Sequence, residues 1–185
     1  IRHYIEKYID KNASHWKVED YVQAFDRIPG LQDLVRNPFL LNLSLRVLPD
    51  MVNLGSNLSS TNITRVELYD KFVKQWVDRG IVRLHDKKLS GDDATAFEDL
   101  CSDGFFENAI GFIKDLSVFI FENQDGAPVV EYSPLRDKNK WQHAFFSQVD
   151  GKHLLREACP IIRIGSSNQY RFIHRSVLEY GLARA

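Results

Sequence analysis

Apolar residues recur at helical spacing from the start of the chain. In the segment IRHYIEKYID they stand at positions 1, 4, 5, 8 and 9, which form one face of a helix. The same spacing predicts a second short helix around Val18 to Phe25 and a single turn that begins at Leu31. The chain is therefore predicted to begin with packed helices.

An Asn-Pro pair predicts where the next helix begins. In NPFLLNLSLRVLPD, Asn37 is a favourable N-cap, and Pro38 occupies the first helical position, where its missing N–H group costs nothing. Pro49 is predicted to end this helix because proline cannot continue the hydrogen-bond ladder. The residues 51–62, rich in Ser and Asn, are predicted to form a polar loop.

A capping-box pattern predicts the start of the following helix. Thr64 and Glu67 have the T-x-x-E spacing that opens TRVELYDKFVKQWVDRG, and Gly80 is a natural C-cap for this helix. The charged residues after that glycine predict a linker at 83–94. This linker is the predicted boundary between two subdomains.

The second subdomain is predicted to begin with a long buried helix. GFFENAIGFIKDLSVFIFENQDG is apolar around most of its circumference, and Asp125 and Gly126 are predicted to end the helix. An extended piece, APVVEYSP, follows it. Two short helices are then predicted at about 139–146 and 152–158.

The periodicity changes from helical to extended near the end of the chain. PIIRIGSSNQYRFIH predicts two strands, Ile161–Ile164 and Gln169–Ile173, with turn residues at 165–168 between them. Two short helices, a hairpin and a closing helix are typical of a winged-helix unit. A lone hairpin is only marginally stable, so we expect it to pack on the neighbouring helices.

These elements predict a mainly α fold. Residues 1–82 are expected to form a helical bundle subdomain, 83–94 the linker, and 95–185 a winged-helix-like subdomain with one short β-hairpin.

Composition excludes several classes of partner. The chain has 185 residues, 44% of them hydrophobic, and its net charge of -1 gives no general attraction to nucleic acid or to an anionic membrane. Cys101 and Cys159, the two cysteines, suggest neither a disulfide framework nor a zinc site, which fits a reducing cytoplasmic setting. No apolar run approaches the roughly 20 residues of a membrane-spanning helix.

Sequence motifs that carry enzyme chemistry are missing. The chain has no GxxxxGK[ST], GxGxxG, GxSxG or HExxH pattern, and its six histidines form no i, i+4 pair. Adjacent acids such as Asp92 and Asp93 are typical of a solvated helix start. We therefore expect this chain alone to be no enzyme and to hold no cofactor or metal.

A winged-helix unit raises the alternative of a stand-alone protein-interaction or DNA-binding module. Its recognition helix would be KHLLREA, and Lys152, Arg156, Arg163 and Arg171 are the basic residues in and near it. They do not lie in a larger basic field, so nucleic acid is not the expected partner.

Three stretches, taken in order, resemble a known family. LQDLVRNPFLLNLSLRVLP is similar to the helical domain that follows the nucleotide-binding domain in NACHT-type STAND ATPases, and ITRVELYDKFVKQWVDR is similar to a later helix of the same proteins. YRFIHRSVLEYGLARA resembles the end of their winged-helix domain, with the pattern positions Phe172, His174, Ser176, Glu179 and Tyr180. The resemblance is closest to large fungal NACHT proteins that carry repeat arrays after this region.

The resemblance implies regulation rather than catalysis. In that family the helical and winged-helix domains fold over ADP held by an upstream P-loop domain, and the nucleotide state is coupled to a domain rearrangement and to signalling. The present chain, which starts without Met, would be a fragment that meets ADP or ATP only in its full-length protein. Its partners would be the upstream nucleotide-binding domain and a downstream repeat domain, and the resemblance also allows a homo-oligomer on activation.

The resemblance implies two nucleotide contacts. Pro38 would lie against the adenine ring as a flat apolar surface, and His174 would donate a hydrogen bond to the ADP β-phosphate. Each residue also has a structural interpretation, Pro38 as an N1 proline and His174 as a junction histidine bonded to a backbone carbonyl. Gly181 departs from the family pattern and is expected to loosen the packing of its helix.

Overall fold

The computed structural model describes residues 1–12, 14–52, 63–124, 127–148, 151–165 and 168–185. Over these residues the protein is mainly helical with a small antiparallel sheet, which confirms the predicted fold class. Its elements in chain order are α1 (Arg2–Asn12), α2 (Val18–Arg27), α3 (Leu31–Leu34), α4 (Pro38–Met51), α5 (Arg65–Asp86), α6 (Asp92–Ser102), α7 (Phe105–Gln124), β1 (Val129–Glu131), α8 (His143–Phe146), α9 (Lys152–Ala158), β2 (Ile161–Arg163), β3 (Gln169–Phe172) and α10 (Arg175–Arg184).

The chain divides into two compact units, Ile1–Phe72 and Val73–Ala185. The division falls inside α5, whereas the sequence predicts a linker at 83–94. Part of that predicted linker is helical, since α5 continues to residue 86 and α6 begins at Asp92. Asp92 and Asp93 lie in the first turn of α6, where the helix dipole favours negative charge, as expected for a helix start.

The core of the first unit is built from one apolar face of each helix. This arrangement follows the helical spacing of apolar residues along the sequence. The largest fully buried side chains of this unit are Ile5, Tyr21, Ile28, Leu31, Leu43, Leu45, Leu48 and Leu68.

Helix α4 runs through Pro49 to Met51, so the prediction that Pro49 ends this helix was wrong. Proline has no N–H group, and the carbonyl that it leaves without a helical donor is that of Leu45, four residues earlier. The hydroxyl of Tyr21, a fully buried residue of α2, donates to this oxygen at 2.8 Å. The Ser14 hydroxyl lies 2.8 Å from the Tyr21 oxygen and donates to it, since the single Tyr21 proton is already used. The proline is therefore tolerated because a neighbouring helix supplies the missing donor.

The predicted start of α5 is confirmed. The Thr64 backbone N–H donates to Glu67 Oε2 at 2.7 Å, and the Glu67 backbone N–H donates to Thr64 Oγ1 at 3.2 Å. This reciprocal pair is a capping box. The hydrogen bonds from Thr64 favour the ionised carboxylate and lower the pKa of Glu67.

The prediction that Gly80 ends α5 was wrong, since this helix continues to residue 86. Gly80 instead packs against α9 within the second unit. A Cβ atom on Gly80 would lie 2.6 Å from Ala158 Cα and 2.9 Å from the Ala158 carbonyl oxygen. Both are backbone atoms, which no side-chain rotation can move away. Glycine is therefore needed at this position for close helix packing rather than for a helix end.

The second unit contains a three-stranded antiparallel sheet in the order β1-β3-β2. Strands β2 and β3 form the predicted hairpin, in which Ile162 lies opposite Arg171. Strand β1 pairs with the other edge of β3 and places Val130 opposite Tyr170. The prediction of a single hairpin thus missed β1, because a three-residue strand has too short an alternation to show its pairing in the sequence.

The elements of the second unit follow the order of a winged helix. Helix α7 precedes β1, the short helices α8 and α9 follow it, and the β2–β3 hairpin comes at the position that the wing has in that order. Helix α9 has the predicted bounds, whereas α8 is a single turn at His143–Phe146 rather than a helix from 139.

Helix α10 packs closely on α7, and Gly181 makes this possible. A Cβ atom on Gly181 would lie 2.1 Å from Ser117 Oγ, 2.9 Å from Ser117 Cβ and 3.1 Å from the Ile113 carbonyl oxygen. Ser117 is fully buried and donates to the same Ile113 oxygen at 2.7 Å. The expectation that Gly181 loosens this helix was therefore wrong, since the missing side chain lets the two helices approach.

Three sequence predictions fall wholly or partly outside the described residues. They are the polar loop beyond Val52, the helix end at 125–126, and the middle of the turn at 165–168.

Candidate functional site

His174 lies at the junction between β3 and α10, where it is the N-cap residue of the helix. Its backbone is extended, with φ of -150° and ψ of 146°. Its Nδ1 atom accepts a hydrogen bond from the Ser176 backbone N–H at 3.2 Å, and the Ser176 hydroxyl lies 2.6 Å from the same nitrogen. The imidazole thus does what an Asn, Asp or Ser side chain usually does at a helix start.

The direction of this hydrogen bond determines where the neutral ring carries its proton. Since Nδ1 of His174 accepts from an N–H group, it has no proton of its own, and the proton of the neutral imidazole is on Nε2. The half-buried ring therefore has an Nε2–H donor in an orientation fixed by Ser176. Hydrogen-bond donation is the function that the family resemblance implies for this residue.

The other residues of the predicted motif are structural. Phe172 and Tyr180 are 3% and 6% exposed and belong to the core of the second unit. Glu179 is exposed and pairs with Arg175 one turn earlier, at 3.2 Å between Nε and Oε1. An exposed i, i+4 pair of this kind stabilises a helix by a few tenths of a kcal/mol.

Pro38 lies at the first position of α4, as predicted. Asn37 Oδ1 accepts from the backbone N–H groups of Phe39 at 2.9 Å and Leu40 at 3.3 Å, which confirms Asn37 as the N-cap. The Pro38 ring is exposed. This residue belongs to the first unit and His174 to the second.

The polar side chains of α9, the recognition-helix position of a winged helix, make contacts within the second unit. Glu157 forms an ion pair with Lys87, which lies in the turn directly after α5. His153 Nε2 lies 3.2 Å from Asp93 Oδ1 of α6. A helix that reads the major groove needs such side chains exposed to the bases. In α9, Glu157 is exposed, whereas Leu154, Leu155 and Ala158 are buried against the rest of the unit.

Compared with protein-family models, with curated proteins and with solved structures, the chain matches none. The resemblance to NACHT-type STAND ATPases therefore rests on the quoted motifs alone.

Other kinds of site have little support in the described part of the chain. No group of three His, Cys, Asp or Glu side chains there could hold a metal ion. Both cysteines are free, Cys101 exposed and Cys159 buried, and burial raises the pKa of the Cys159 thiol. None of the described helices is both long and apolar enough to cross a bilayer.

A cavity lies between the sheet and the helices α8 and α9. Its volume is about 440 Å³, and its lining includes Tyr132, His143, Phe146, Arg156, Arg163 and Tyr170. Arg156 and Arg163 had appeared only as candidate DNA contacts. No sequence motif could reveal this cavity, because its residues come from several short elements that only the fold brings together.

Proposed function

We propose that this chain is the regulatory nucleotide-sensing module of a NACHT-type STAND ATPase. It closes over ADP or ATP held by a P-loop domain of the same protein and couples the nucleotide state to a domain rearrangement and to signalling. In this proposal the chain hydrolyses nothing itself and acts in the cytoplasm. Its partners are an upstream nucleotide-binding domain and a downstream repeat domain, and homo-oligomerisation follows activation.

The hydrogen bonding of His174 is the observation that supports this proposal most directly. The preceding residue is tied to the sheet, since the Ile173 N–H donates to the Pro160 carbonyl at 3.0 Å. The following turn is tied to the helix, since the Val177 N–H donates to the His174 carbonyl at 3.0 Å. With the Ser176 N–H bound to Nδ1, the orientation of the imidazole is fixed within the protein. A preorganised donor binds an anion with little loss of side-chain entropy.

The surroundings of α9 also favour a module that packs against protein. Glu157 is paired with Lys87 in the turn after α5, and His153 with Asp93 of α6. In the proposed protein the winged helix would be a moving domain rather than a DNA reader. Pro38 would then supply an apolar surface for the adenine ring, which needs no hydrogen-bond partner.

The test compares two variants of His174 in a full-length protein that contains this chain and a P-loop domain. His174→Ala removes both the N-cap and the Nε2–H donor, whereas His174→Asn keeps a side chain that can cap the helix. We expect both variants to release ADP about tenfold faster or more, because each loses one hydrogen bond to a charged group. Both variants should also raise basal activity. His85→Asn, at an exposed histidine of α5, is the control and should retain ADP normally.

The Asn variant separates the two roles of His174. A capping role alone predicts that His174→Asn keeps both thermal stability and ADP retention, and this result would contradict the proposed phosphate contact. The upstream sequence provides a second test, because an unrelated domain in place of a P-loop domain would contradict the family assignment.

A stand-alone protein-interaction or DNA-binding module is the alternative. Leu135 is the position at which to test for a protein partner, since it is 97% exposed, in a turn where the buried Asp137 carboxylate accepts from the Ser133 backbone N–H at 2.8 Å. Single exposed apolar residues are normal on a protein surface, so Leu135 marks a contact only if a partner buries it. The test uses a chain with no neighbouring P-loop domain in a pull-down experiment. Capture of a protein partner that is lost in the Leu135→Asp variant would support this alternative. Steeply salt-dependent binding to duplex DNA would support a DNA-binding module instead.

A further inference from the structure

The cavity between the sheet and helices α8 and α9 is built around Arg156. The guanidinium carbon of this residue lies 5.3 Å from the ring centroid of Tyr170 and 5.8 Å from that of Phe146. The two aromatic rings are themselves 4.7 Å apart. The cationic group is thus held between an aromatic residue of β3 and one of α8, and its orientation is defined by cation–π contacts.

The charge of Arg156 is not balanced by a carboxylate of the part of the chain that the structure describes. Its Nη1 donates to the Phe145 carbonyl at 3.3 Å, and no carboxylate of the described residues lies within ion-pair distance of its guanidinium. The two acids near the cavity have other partners, since Glu157 is paired with Lys87, and Asp137 with Arg136 and Lys140. Burial disfavours the charged form and lowers the pKa of Arg156, although an arginine stays charged at neutral pH. A half-buried cation of this kind gains free energy when an anion binds beside it.

The remaining polar groups of the cavity are also suited to an anion. Arg163 of β2 lies directly opposite Tyr170, so that its side chain is on the same face of the sheet. Its Nη2 donates to Asn168 Oδ1 at 3.0 Å, which holds the guanidinium at the edge of the cavity. The Tyr132 hydroxyl and His143 Nδ1 form a hydrogen bond of 2.9 Å on the other side. Among the described residues that line the cavity there is no Asp or Glu.

We propose that this cavity binds a small organic anion. Its phosphate or carboxylate group contacts Arg156 and Arg163, since a guanidinium binds either oxyanion through paired N–H groups. Its apolar or aromatic body lies against Phe146 and Tyr170. The volume of about 440 Å³ is within the range of small-molecule sites. This site is separate from the proposed contact of His174 and does not depend on it.

The probes are phenyl phosphate, benzoate and phenol, titrated into the 185-residue chain and followed by NMR chemical shifts. We expect saturable binding of at least one of the two anions and none of phenol, which has the same ring without the charge. The tighter anion identifies the oxyanion that the site prefers. If neither anion shows saturable binding, or if phenol binds as well as they do, the proposal is wrong.

Three arginine variants locate the binding. Arg156→Gln and Arg163→Gln should each weaken binding by about tenfold or more, because each removes charge-assisted hydrogen bonds. Arg171→Gln is the matched control, since Arg171 neighbours Tyr170 on β3 and its side chain is on the opposite face of the sheet. Circular dichroism checks that each variant folds. If Arg156→Gln does not fold, Arg163→Gln still tests the site. Equal affinities of all three variants would refute the proposed site.

Discussion

Replacement of Gly181 by alanine sets two physical effects against each other. Alanine stabilises the interior of a helix by about 0.5–1 kcal/mol relative to glycine, so helix propensity alone predicts a more stable protein. The new Cβ atom would however lie 2.1 Å from Ser117 Oγ and 2.9 Å from Ser117 Cβ. Real Cβ atoms do not approach other carbon atoms so closely, so α10 or α7 must shift.

The magnitude follows from which of these contacts can relax. Rotation of the Ser117 hydroxyl removes the shorter contact but breaks its hydrogen bond to Ile113, which is worth about 1 kcal/mol. The contact with Ser117 Cβ cannot be removed by rotation, and overpacking of this kind costs about 1–3 kcal/mol. After subtraction of the gain in helix propensity, we expect Gly181→Ala to lower the free energy of unfolding by about 1–3 kcal/mol.

The assay is urea unfolding of the chain followed by far-UV circular dichroism. Gly111→Ala is the matched control, because Gly111 lies in the middle of α7 and no atom is within 4 Å of an added Cβ. That control should raise the free energy of unfolding by about 0.5–1 kcal/mol. Opposite signs for two identical substitutions would identify the helix contact as the cause.

A double-mutant cycle tests the cause further. Ser117→Ala removes the oxygen that the new Cβ meets first, so Gly181→Ala should be less destabilising in the Ser117→Ala background. If Gly181→Ala is as stabilising as Gly111→Ala, or if Ser117→Ala leaves its effect unchanged, the close approach of α7 and α10 is not what requires glycine.

Two further substitutions test buried polar groups. Tyr21→Phe leaves the buried Leu45 carbonyl without its donor, and we expect a loss of about 1–3 kcal/mol in urea unfolding. Hydrogen bonds from Arg136 and Lys140 hold the pKa of the Asp137 carboxyl well below its usual range. The stability that Asp137 contributes is thus present above its ordinary pKa of about 4 and is lost as the pH falls through the lower folded value. Asp137→Asn should therefore lower the free energy of unfolding at neutral pH. The variant should also lose less stability than the unmodified protein as the pH falls, measured by urea unfolding midpoints across the acid range.

Features that depend on neighbours in sequence could be predicted from the sequence. Asn37 caps α4 through the two N–H groups that follow it, and Thr64 and Glu67 form a reciprocal pair three residues apart. Helix α9 and the β2–β3 hairpin are equally local, and their predicted positions agree with the structure. In each case the stabilising partner is within a few residues, so the pattern contains the whole interaction.

The predictions that failed concern residues whose partners are distant in sequence. Pro49 is tolerated because of a hydroxyl from α2, Gly80 is needed because of Ala158, and Gly181 because of Ser117. Proline and glycine have strong local preferences, and here tertiary contacts outweigh them. The candidate anion cavity around Arg156 belongs to the same class, since its lining is assembled only by the fold.

The contacts of α9 distinguish its packed side from its exposed side. Ala158 packs on Gly80, and the two backbones lie too close for a side chain at Gly80. Glu157 is exposed and its ion pair with Lys87 lies at the surface, so this pair leaves the outer side of α9 accessible. The β3–α10 junction is held in a different way, because His174 caps α10 by accepting from the Ser176 backbone N–H. This cap fixes the orientation of the imidazole, which is the geometric feature on which the proposed phosphate contact depends.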